Sequence, residues 1–401
     1  MSKKLKKIEK SVLKIYQKNN PSIHFVLEDN KKLKQRKSNL ENLIFNNLKF
    51  PKKMFEKSNL IDFGAGTGDT TIAYNHWGAN CTLVDMNQLA LSRAKKVFKK
   101  LSTKNSVNKF VKASIFDNKL KNKKYDIVSS IGVIHHTANP ALALKKISRF
   151  VKNDGFLILG SATNEGFFQR NLQRLIISKF TKLDNHEQVE KIALELFKEN
   201  LSRAKKFGGR SIKAIIHDTY VNPKIKGISF NEISKHLGEE FSYYSSAPDV
   251  NLIKSFDSPL SYQENIFSKF QNLSVLSKIL MMSNSNQIKN KYNFENKKLK
   301  KINKLNLYLT NNISDFNKNK KVDLNKFKYD LKKYKSIFLK TNLTADMFGE
   351  HKIFIRELEK LLLYIDNYSL EKMKKYIVSC NVLFKKSGGL GNNYYIFRRN
   401  P

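Results

Sequence analysis

Residues 60–68 read LIDFGAGTG and join an apolar run to three glycines at alternate positions. The apolar run predicts a buried parallel strand, and the glycines predict a turn where a ligand can lie directly against the main chain. Residues 70–73 then begin a helical pattern whose first N–H groups face a polar ligand. Glycine also marks ordinary tight turns, so the residues that follow decide between a binding turn and a structural one.

A second short apolar strand, residues 81–84, ends in the carboxylate of Asp85. In nucleotide-binding α/β folds, an acid at the tip of the second strand accepts hydrogen bonds from both ribose hydroxyls. The alternative for Asp85 is the N-cap of a helix from residue 88 onward. A side chain at the end of the strand could both bind the ribose and cap this helix. Dinucleotide enzymes carry G-x-G-x-x-G, which would need glycine where this chain has Asp69.

A third signal lies at residues 124–140, which read KYDIVSSIGVIHHTANP. Residues 125–129 predict a buried strand, and residues 132–136 predict the loop after it. The apolar spacing of residues 141–151 is helical, and a turn at 153–155 leads into another apolar strand at 156–159. The pattern is therefore that of alternating strands and helices around a parallel sheet.

With these pieces in order, the chain resembles the class I S-adenosylmethionine-dependent methyltransferases over about residues 45–165. The matching motifs are residues 60–68, 83–85, 114–117, 125–137 and 153–159. The segment GVIHHT resembles a GVLHHT-type branch of that family with no assigned substrate. The resemblance implies an α/β fold with a Rossmann-like, doubly wound, seven-stranded sheet.

That resemblance also implies S-adenosyl-L-methionine as the cofactor. Its methionine part would lie on Asp62 and the glycine turn, its ribose on Asp85, and its adenine between Met86 and the third motif. Residues 130–132 would form the floor beneath the sulfonium. Many family members carry an aspartate where this chain has Ser114, whose hydroxyl is a weaker acceptor for the adenine amino group. In chain order, the implied cofactor-binding residues are Asp62, Gly64, Ala65, Gly66, Gly68, Asp85, Met86, Ser114, Ile115, Ser130, Ile131 and Gly132.

Two clusters supply candidate catalytic residues. His135 and His136 follow the fourth strand, where the acceptor should lie, and histidine has a suitable pKa for base chemistry near neutrality. A second cluster packs His217, Asp218 and Tyr220 into four residues. The alternative for both clusters is structural: histidines that bind backbone groups, and a hydrogen-bond network at a helix end.

The chain exceeds one methyltransferase core by more than half of the core's length, so further domains are expected. We predict a helical extension at 1–50, the cofactor-binding core at 51–165, and a mainly helical lid or substrate region at 166–380. That region contains a late strand near 241–246, and a helix capped by Ser229 with Glu232 in a capping box. Residues 381–401 predict a glycine-rich turn and a strand that completes the core sheet. The alternative is a core that ends by about residue 250, followed by a separate C-terminal domain.

The formal net charge of +41 raises the question of a nucleic-acid substrate. Only ten of the 75 basic residues are arginine, and the lysines are spread along the whole chain, which a coding bias explains equally well. We therefore expect a small-molecule or metabolite acceptor, with an RNA (tRNA) methyltransferase as the alternative. A non-catalytic cofactor-binding module is a third interpretation. The sequence gives no indication of oligomeric state.

Other classes of site and location have little support in the sequence. The two cysteines, Cys81 and Cys380, predict no disulfide, and no metal-ligand spacing occurs. No apolar run approaches the 18 residues of a membrane span. The N-terminal MSKKLKK lacks the apolar stretch of a signal peptide. These observations predict a cytoplasmic enzyme.

Overall fold

The computed structural model describes residues 3–19, 23, 29–117, 120, 123–208, 210–248, 278–279, 281–283, 296–315, 322–340, 345–385 and 392–401. The chain divides into two compact units. The first comprises Met1–Thr163, Ala204–Pro248 and Asn392–Pro401, and the second comprises Asn164–Arg203 and Asp249–Gly391.

The first unit is built on a seven-stranded sheet. Its strands in chain order are β1 (Asn59–Phe63), β2 (Asn80–Asp85), β3 (Lys109–Lys112), β4 (Tyr125–Ile131), β5 (Val151–Ala162), β6 (Phe241–Ala247) and β7 (Asn392–Arg399). Their order across the sheet is β3-β2-β1-β4-β5-β7-β6. The first five strands are parallel, and β7 runs antiparallel to both β5 and β6. The predicted Rossmann-like, seven-stranded α/β core is therefore confirmed.

Helices flank the sheet and form most of the second unit. They are α1 (Lys3–Asn19), α2 (Asn30–Glu41), α3 (Thr71–His76), α4 (Gln88–Leu101), α5 (Pro140–Ser148), α6 (Phe168–Phe180), α7 (His186–Gly208), α8 (Ile212–Ile216), α9 (Phe230–Leu237), α10 (Asn296–Asp315), α11 (Leu324–Leu339), α12 (Ala345–Tyr364) and α13 (Leu370–Ser379). Short 3₁₀ or π turns occupy Asn42–Asn47, Lys52–Phe55, Ile134–His136, His217–Val221 and Gly238–Glu240.

Local signals explain where several helices begin. Asn139 accepts a hydrogen bond from the N–H of Leu142, and Pro140 occupies the first helical position of α5. The predicted capping box at the start of α9 is confirmed: Ser229 accepts from the N–H of Glu232, whose carboxylate accepts from the N–H of Ser229. These caps fix where α5 begins after the loop that follows β4, and where α9 begins before β6.

Apolar packing fixes the sheet in the first unit. In β1, residues 60–63 are all buried, as expected for a parallel strand covered on both faces. An aromatic cluster lies beside it, where the Phe55 ring stacks on Tyr74 at 5.4 Å and meets Phe50 edge-on at 5.5 Å. Phe50 also packs against Phe156 of β5 at 5.0 Å. This cluster joins the segment before β1 to Tyr74 of α3 and to Phe156 of β5.

The second unit has its own helical core. Phe168 of α6 stacks on Phe327 of α11 and meets Phe354 of α12 edge-on. Tyr334 and His351 are buried and lie 2.9 Å apart, from the phenol oxygen to Nε2. In the described part of the chain, no helix is long and apolar enough to cross a membrane.

The domain boundaries predicted from the sequence remain predictions. The helices of the predicted 1–50 extension lie in the first unit, and so do residues Ala204–Pro248 of the predicted 166–380 lid. The C-terminal strand pairs between β5 and β6. Of the predicted glycine-rich turn before it, residues 386–391 lie outside the described residues.

Candidate active site

The glycine turn lies at the carboxyl end of β1, and its backbone is one that glycine favours. Gly64, Gly66 and Gly68 have φ angles of +72°, +56° and +77°. The N–H groups of Gly64 and Ala65 both donate to the carbonyl of Val84, at 2.8 and 3.1 Å. A Cβ on Gly64 would lie 2.5 Å from both methyl carbons of Val133. The turn is therefore a close-packed cradle held against the end of β2.

Asp85, at the end of β2, is joined to this turn. Its Oδ2 accepts from the N–H of Gly66 at 2.8 Å, and its Oδ1 accepts from the N–H of Asn87 at 2.7 Å. Burial raises the pKa of the Asp85 carboxyl, and these N–H groups act against that rise. The N-cap of α4 is Asn87, which accepts from the N–H of Leu89, so the alternative of Asp85 as that cap is wrong. Asp85 and the neighbouring Met86 are partly exposed.

Asp62, inside the glycine motif, is almost fully buried. Thr71 Oγ1 donates to its Oδ2 at 2.5 Å, which ties β1 to the first turn of α3. Burial raises the pKa of the Asp62 carboxyl to about 6, against hydrogen bonds from Thr71 and Ser129. Asp62 thus fixes the scaffold beneath the turn, and its contact with the methionine part of a cofactor stays a prediction.

The other predicted cofactor residues lie on the neighbouring strand ends. Ser130 is fully buried and its hydroxyl donates to the carbonyl of Phe63 at 3.2 Å, whereas Ile131 and Gly132 are partly exposed. After β3, Ser114 Oγ accepts from the N–H of Phe116 at 3.2 Å, and Ile115 is partly exposed beside it. These positions surround the carboxyl ends of β1, β2, β3 and β4, which is where ligands bind in open α/β sheets.

Asp218 is the centre of a polar cluster in the first unit. Arg210 Nη1 donates to its Oδ2 at 2.9 Å, and the Tyr16 hydroxyl donates to its Oδ1 at 2.9 Å. His136 Nε2 lies 3.5 Å from the same Oδ1. The structure therefore brings two of the predicted catalytic residues together, from the loop after β4 and from the turn after α8.

The charge state of this cluster follows from its contacts. Burial alone would raise the pKa of the Asp218 carboxyl, but the charges of Arg210 and His136 and the hydrogen bonds from Arg210 and Tyr16 hold it well below its usual range. Burial, together with the Asp218 charge, raises the pKa of the Tyr16 phenol well above its ordinary value. At neutral pH the cluster contains an ionised Asp218 and a protonated Tyr16.

The two histidines after β4 have protein partners. His135 Nδ1 accepts from the N–H of Ala162 at 3.2 Å, and burial holds the pKa of His135 well below its ordinary value, so its ring is neutral. His136 Nδ1 lies 3.1 Å from both the carbonyl of Lys224 and the amide nitrogen of Asn222. The centroids of the His135 and His136 rings are 4.2 Å apart.

His217 and Tyr220, the remaining catalytic candidates, are 1% and 0% exposed. Burial to this degree favours a structural role for both side chains over contact with an acceptor, and the catalytic role stays a prediction.

Three residues of the site escaped the sequence interpretation. The sequence motifs point neither to Tyr16 nor to Arg210, nor to Arg36, which donates to Thr70 at 2.7 Å. A signal existed in the composition: arginine is scarce in this lysine-rich chain, so each arginine near a motif is informative.

The strand order, the cradle at the end of β1 and the acid at the end of β2 are those of a Rossmann-like domain, a fold that binds nucleoside-containing ligands at this edge of its sheet. The family model described as methyltransferase domain matches residues 61–159. This part of the chain is therefore similar to a methyltransferase domain, and its strand order is that of the class I, S-adenosylmethionine-dependent type predicted from the sequence.

Solved structures of other methyltransferases resemble part of the chain. An S-adenosylmethionine-dependent methyltransferase from Mesorhizobium loti shares 15% identity over 30% of this chain and 54% of its own, with a TM-score of 0.26. Magnesium protoporphyrin IX methyltransferase from Synechocystis, solved with S-adenosylmethionine, shares 16% identity over 38% of this chain and 70% of its own, with a TM-score of 0.28. PKMT2 from Rickettsia typhi shares 14% identity over 53% of this chain and 46% of its own, with a TM-score of 0.40. The chain thus spans about half the length of the first and third. No curated protein sequence matches it.

The residues of the domain fit this cofactor. The glycine cradle leaves no room for a side chain at position 64, and the Asp85 carboxylate is partly exposed beside it. Within the described ranges, no group of three or more histidine, cysteine, aspartate or glutamate side chains could hold a metal ion.

Proposed function

We propose that this protein transfers a methyl group from S-adenosyl-L-methionine to a small-molecule acceptor. The observation that carries the proposal is the Asp85 carboxylate, bonded to Gly66 of the glycine turn and partly exposed where β1 and β2 end. A carboxylate accepts two ribose hydroxyls without donating, and charge-assisted bonds of this kind are strong. The cytoplasmic location predicted from the sequence belongs to the same proposal.

Different residues of the site would bind different parts of the cofactor. The turn at 64–68 and Asp62 would hold the methionine part, Asp85 the ribose, Met86 with residues 114–115 the adenine, and residues 130–132 the floor. When bound, S-adenosylmethionine supplies a methyl carbon activated by the adjacent positive sulfur. The protein then contributes mainly alignment, which can lower a barrier by roughly 7–11 kcal/mol in favourable cases.

The Asp218 cluster supports a small acceptor. Its side chains are recessed: Asp218 is 15% exposed, His136 8% and Arg210 28%. Asp218 is ionised and bonded to Arg210 and Tyr16, so we propose that it orients these two groups toward the acceptor and does not remove a proton itself. A base role for His135 or His136 requires that one ring nitrogen first leaves its protein partner.

Calorimetry with S-adenosylmethionine tests this proposal first. We expect binding in the micromolar range, and an absence of binding at millimolar cofactor would overturn the cofactor assignment. The acceptor class is tested by transfer of a labelled methyl group into a bacterial extract separated into small-molecule and RNA fractions. Label in the small-molecule fraction is the expected result.

An RNA acceptor is the second candidate, favoured by the net charge of +41. Electrophoretic shifts with total tRNA over a salt series distinguish the two. Only an RNA methyltransferase should bind tightly at low salt, lose affinity steeply as salt rises, and place label in the RNA fraction.

A further inference from the structure

Arg36 of α2 reaches the glycine turn from outside the matched domain. Its Nη2 donates to Oγ1 of Thr70, two residues after Gly68, at 2.7 Å. Thr70 precedes α3 and its side chain makes no capping hydrogen bond to that helix. A guanidinium from an N-terminal helix therefore lies beside the segment that would hold the methionine part of the cofactor.

This guanidinium has few partners. Among the described residues, no carboxylate oxygen lies within ion-pair distance of Arg36, and its buried Nε has no hydrogen-bond partner. Burial lowers the pKa of Arg36 from its usual value, and the charge of Asp69 acts against that change. Arg210, in contrast, is paired directly with Asp218. A desolvated guanidinium with no carboxylate oxygen within ion-pair distance is costly, because its five N–H groups can only donate.

We propose that Arg36 binds the α-carboxylate of S-adenosylmethionine, an inference that rests on the proposed function. The carboxylate is the only anionic group of that cofactor. The planar guanidinium fork matches a carboxylate in two parallel hydrogen bonds, which lysine cannot reproduce. Helix α2 is thereby part of the cofactor site, although it lies outside residues 61–159.

The experiment compares S-adenosylmethionine with decarboxylated S-adenosylmethionine, two ligands that differ only in the carboxylate. Calorimetry is carried out on the wild type, Arg36→Gln, Arg36→Lys and Lys34→Gln. Lys34 is an exposed residue of the same helix, so Lys34→Gln removes the same charge without touching the turn.

We expect the wild type and Lys34→Gln to bind the carboxylate-bearing cofactor about 10- to 100-fold more tightly than its decarboxylated form. Arg36→Gln should abolish most of that ratio, and Arg36→Lys should restore only part of it. Because the ratio is measured within each variant, a general loss of stability does not alter it.

Two results separate the inference from the function on which it rests. If Arg36→Gln weakens both ligands equally, or changes neither, Arg36 has only a structural role through Thr70 and the inference is wrong. If the wild type binds neither ligand, the proposed cofactor itself is wrong.

Discussion

Replacing Gly64 by alanine tests whether the glycine turn has the tight geometry that the site requires. Gly64 has a φ of +72°, and a Cβ there would lie 2.5 Å from both methyl carbons of Val133. Val133 belongs to the loop after β4 that carries the two histidines. The substitution therefore perturbs the cradle and that loop together.

The expected loss has two parts. A left-handed backbone costs a non-glycine residue about 1–2 kcal/mol. Forcing an extra methyl group into a packed site costs about 1–3 kcal/mol more. Gly64→Ala should therefore lower the free energy of unfolding by about 2–5 kcal/mol. Gly132→Ala is the control for backbone strain alone, because Gly132 has a φ of +77° and the nearest atom to its Cβ position is Asn392 Nδ2 at 3.8 Å.

Urea unfolding of Gly64→Ala, Gly132→Ala, Val133→Ala and the Gly64→Ala/Val133→Ala double variant separates these parts. The double variant should lose about 1–2 kcal/mol less than the sum of its single variants, since shortening Val133 relieves the clash. Additive losses, or a Gly64→Ala loss no larger than that of Gly132→Ala, would refute the close contact between the turn and the loop.

Two carboxylates provide further tests by urea unfolding across pH. Asp218→Asn leaves the Arg210 charge without its partner and should cost about 2–4 kcal/mol at neutral pH. Because the folded pKa of Asp218 is lowered, its contribution is complete above about pH 4 and is lost progressively as the pH falls below that value. A loss that persists unchanged at pH 2.5 contradicts this. Asp62 has a folded pKa raised to about 6, so its ionisation costs stability as pH rises above about 4. The free energy of unfolding of Asp62→Asn should therefore rise by up to about 3 kcal/mol relative to that of wild type between pH 4 and pH 7.5. A difference between the two proteins that does not change with pH would rule out the raised pKa.

The glycine turn and Asp85 were predictable from the sequence because their signals are local. Each motif follows a short apolar strand, and strand ends in a parallel sheet meet at one edge. The capping box of Ser229 and Glu232 was equally local. The role of Asn87 as the N-cap of α4 was missed because Asp85 offered a carboxylate two residues earlier.

The acceptor side could not be assembled from the sequence. Tyr16 and Asp218 are 202 residues apart along the chain, and only the folded first unit brings them to 2.9 Å. Arg36 and Arg210 are two of the few arginines of the chain, but their positions along the sequence do not show which groups they contact. The position of β7 between β5 and β6 likewise depends on pairing between distant strands. Long-range polar contacts of this kind have no periodicity to reveal them.

The central claim is that Asp85 holds the ribose of S-adenosylmethionine. Calorimetry of Asp85→Ala with that cofactor tests it most directly. Asp126→Asn is the control, because Asp126 lies at the opposite, amino-terminal ends of the strands, where it accepts a hydrogen bond from the N–H of Asn59. We expect Asp85→Ala to lose at least about tenfold in affinity, because two charge-assisted hydrogen bonds are removed, and Asp126→Asn to retain wild-type affinity. Affinity of Asp85→Ala within a factor of about two of wild type would contradict the account.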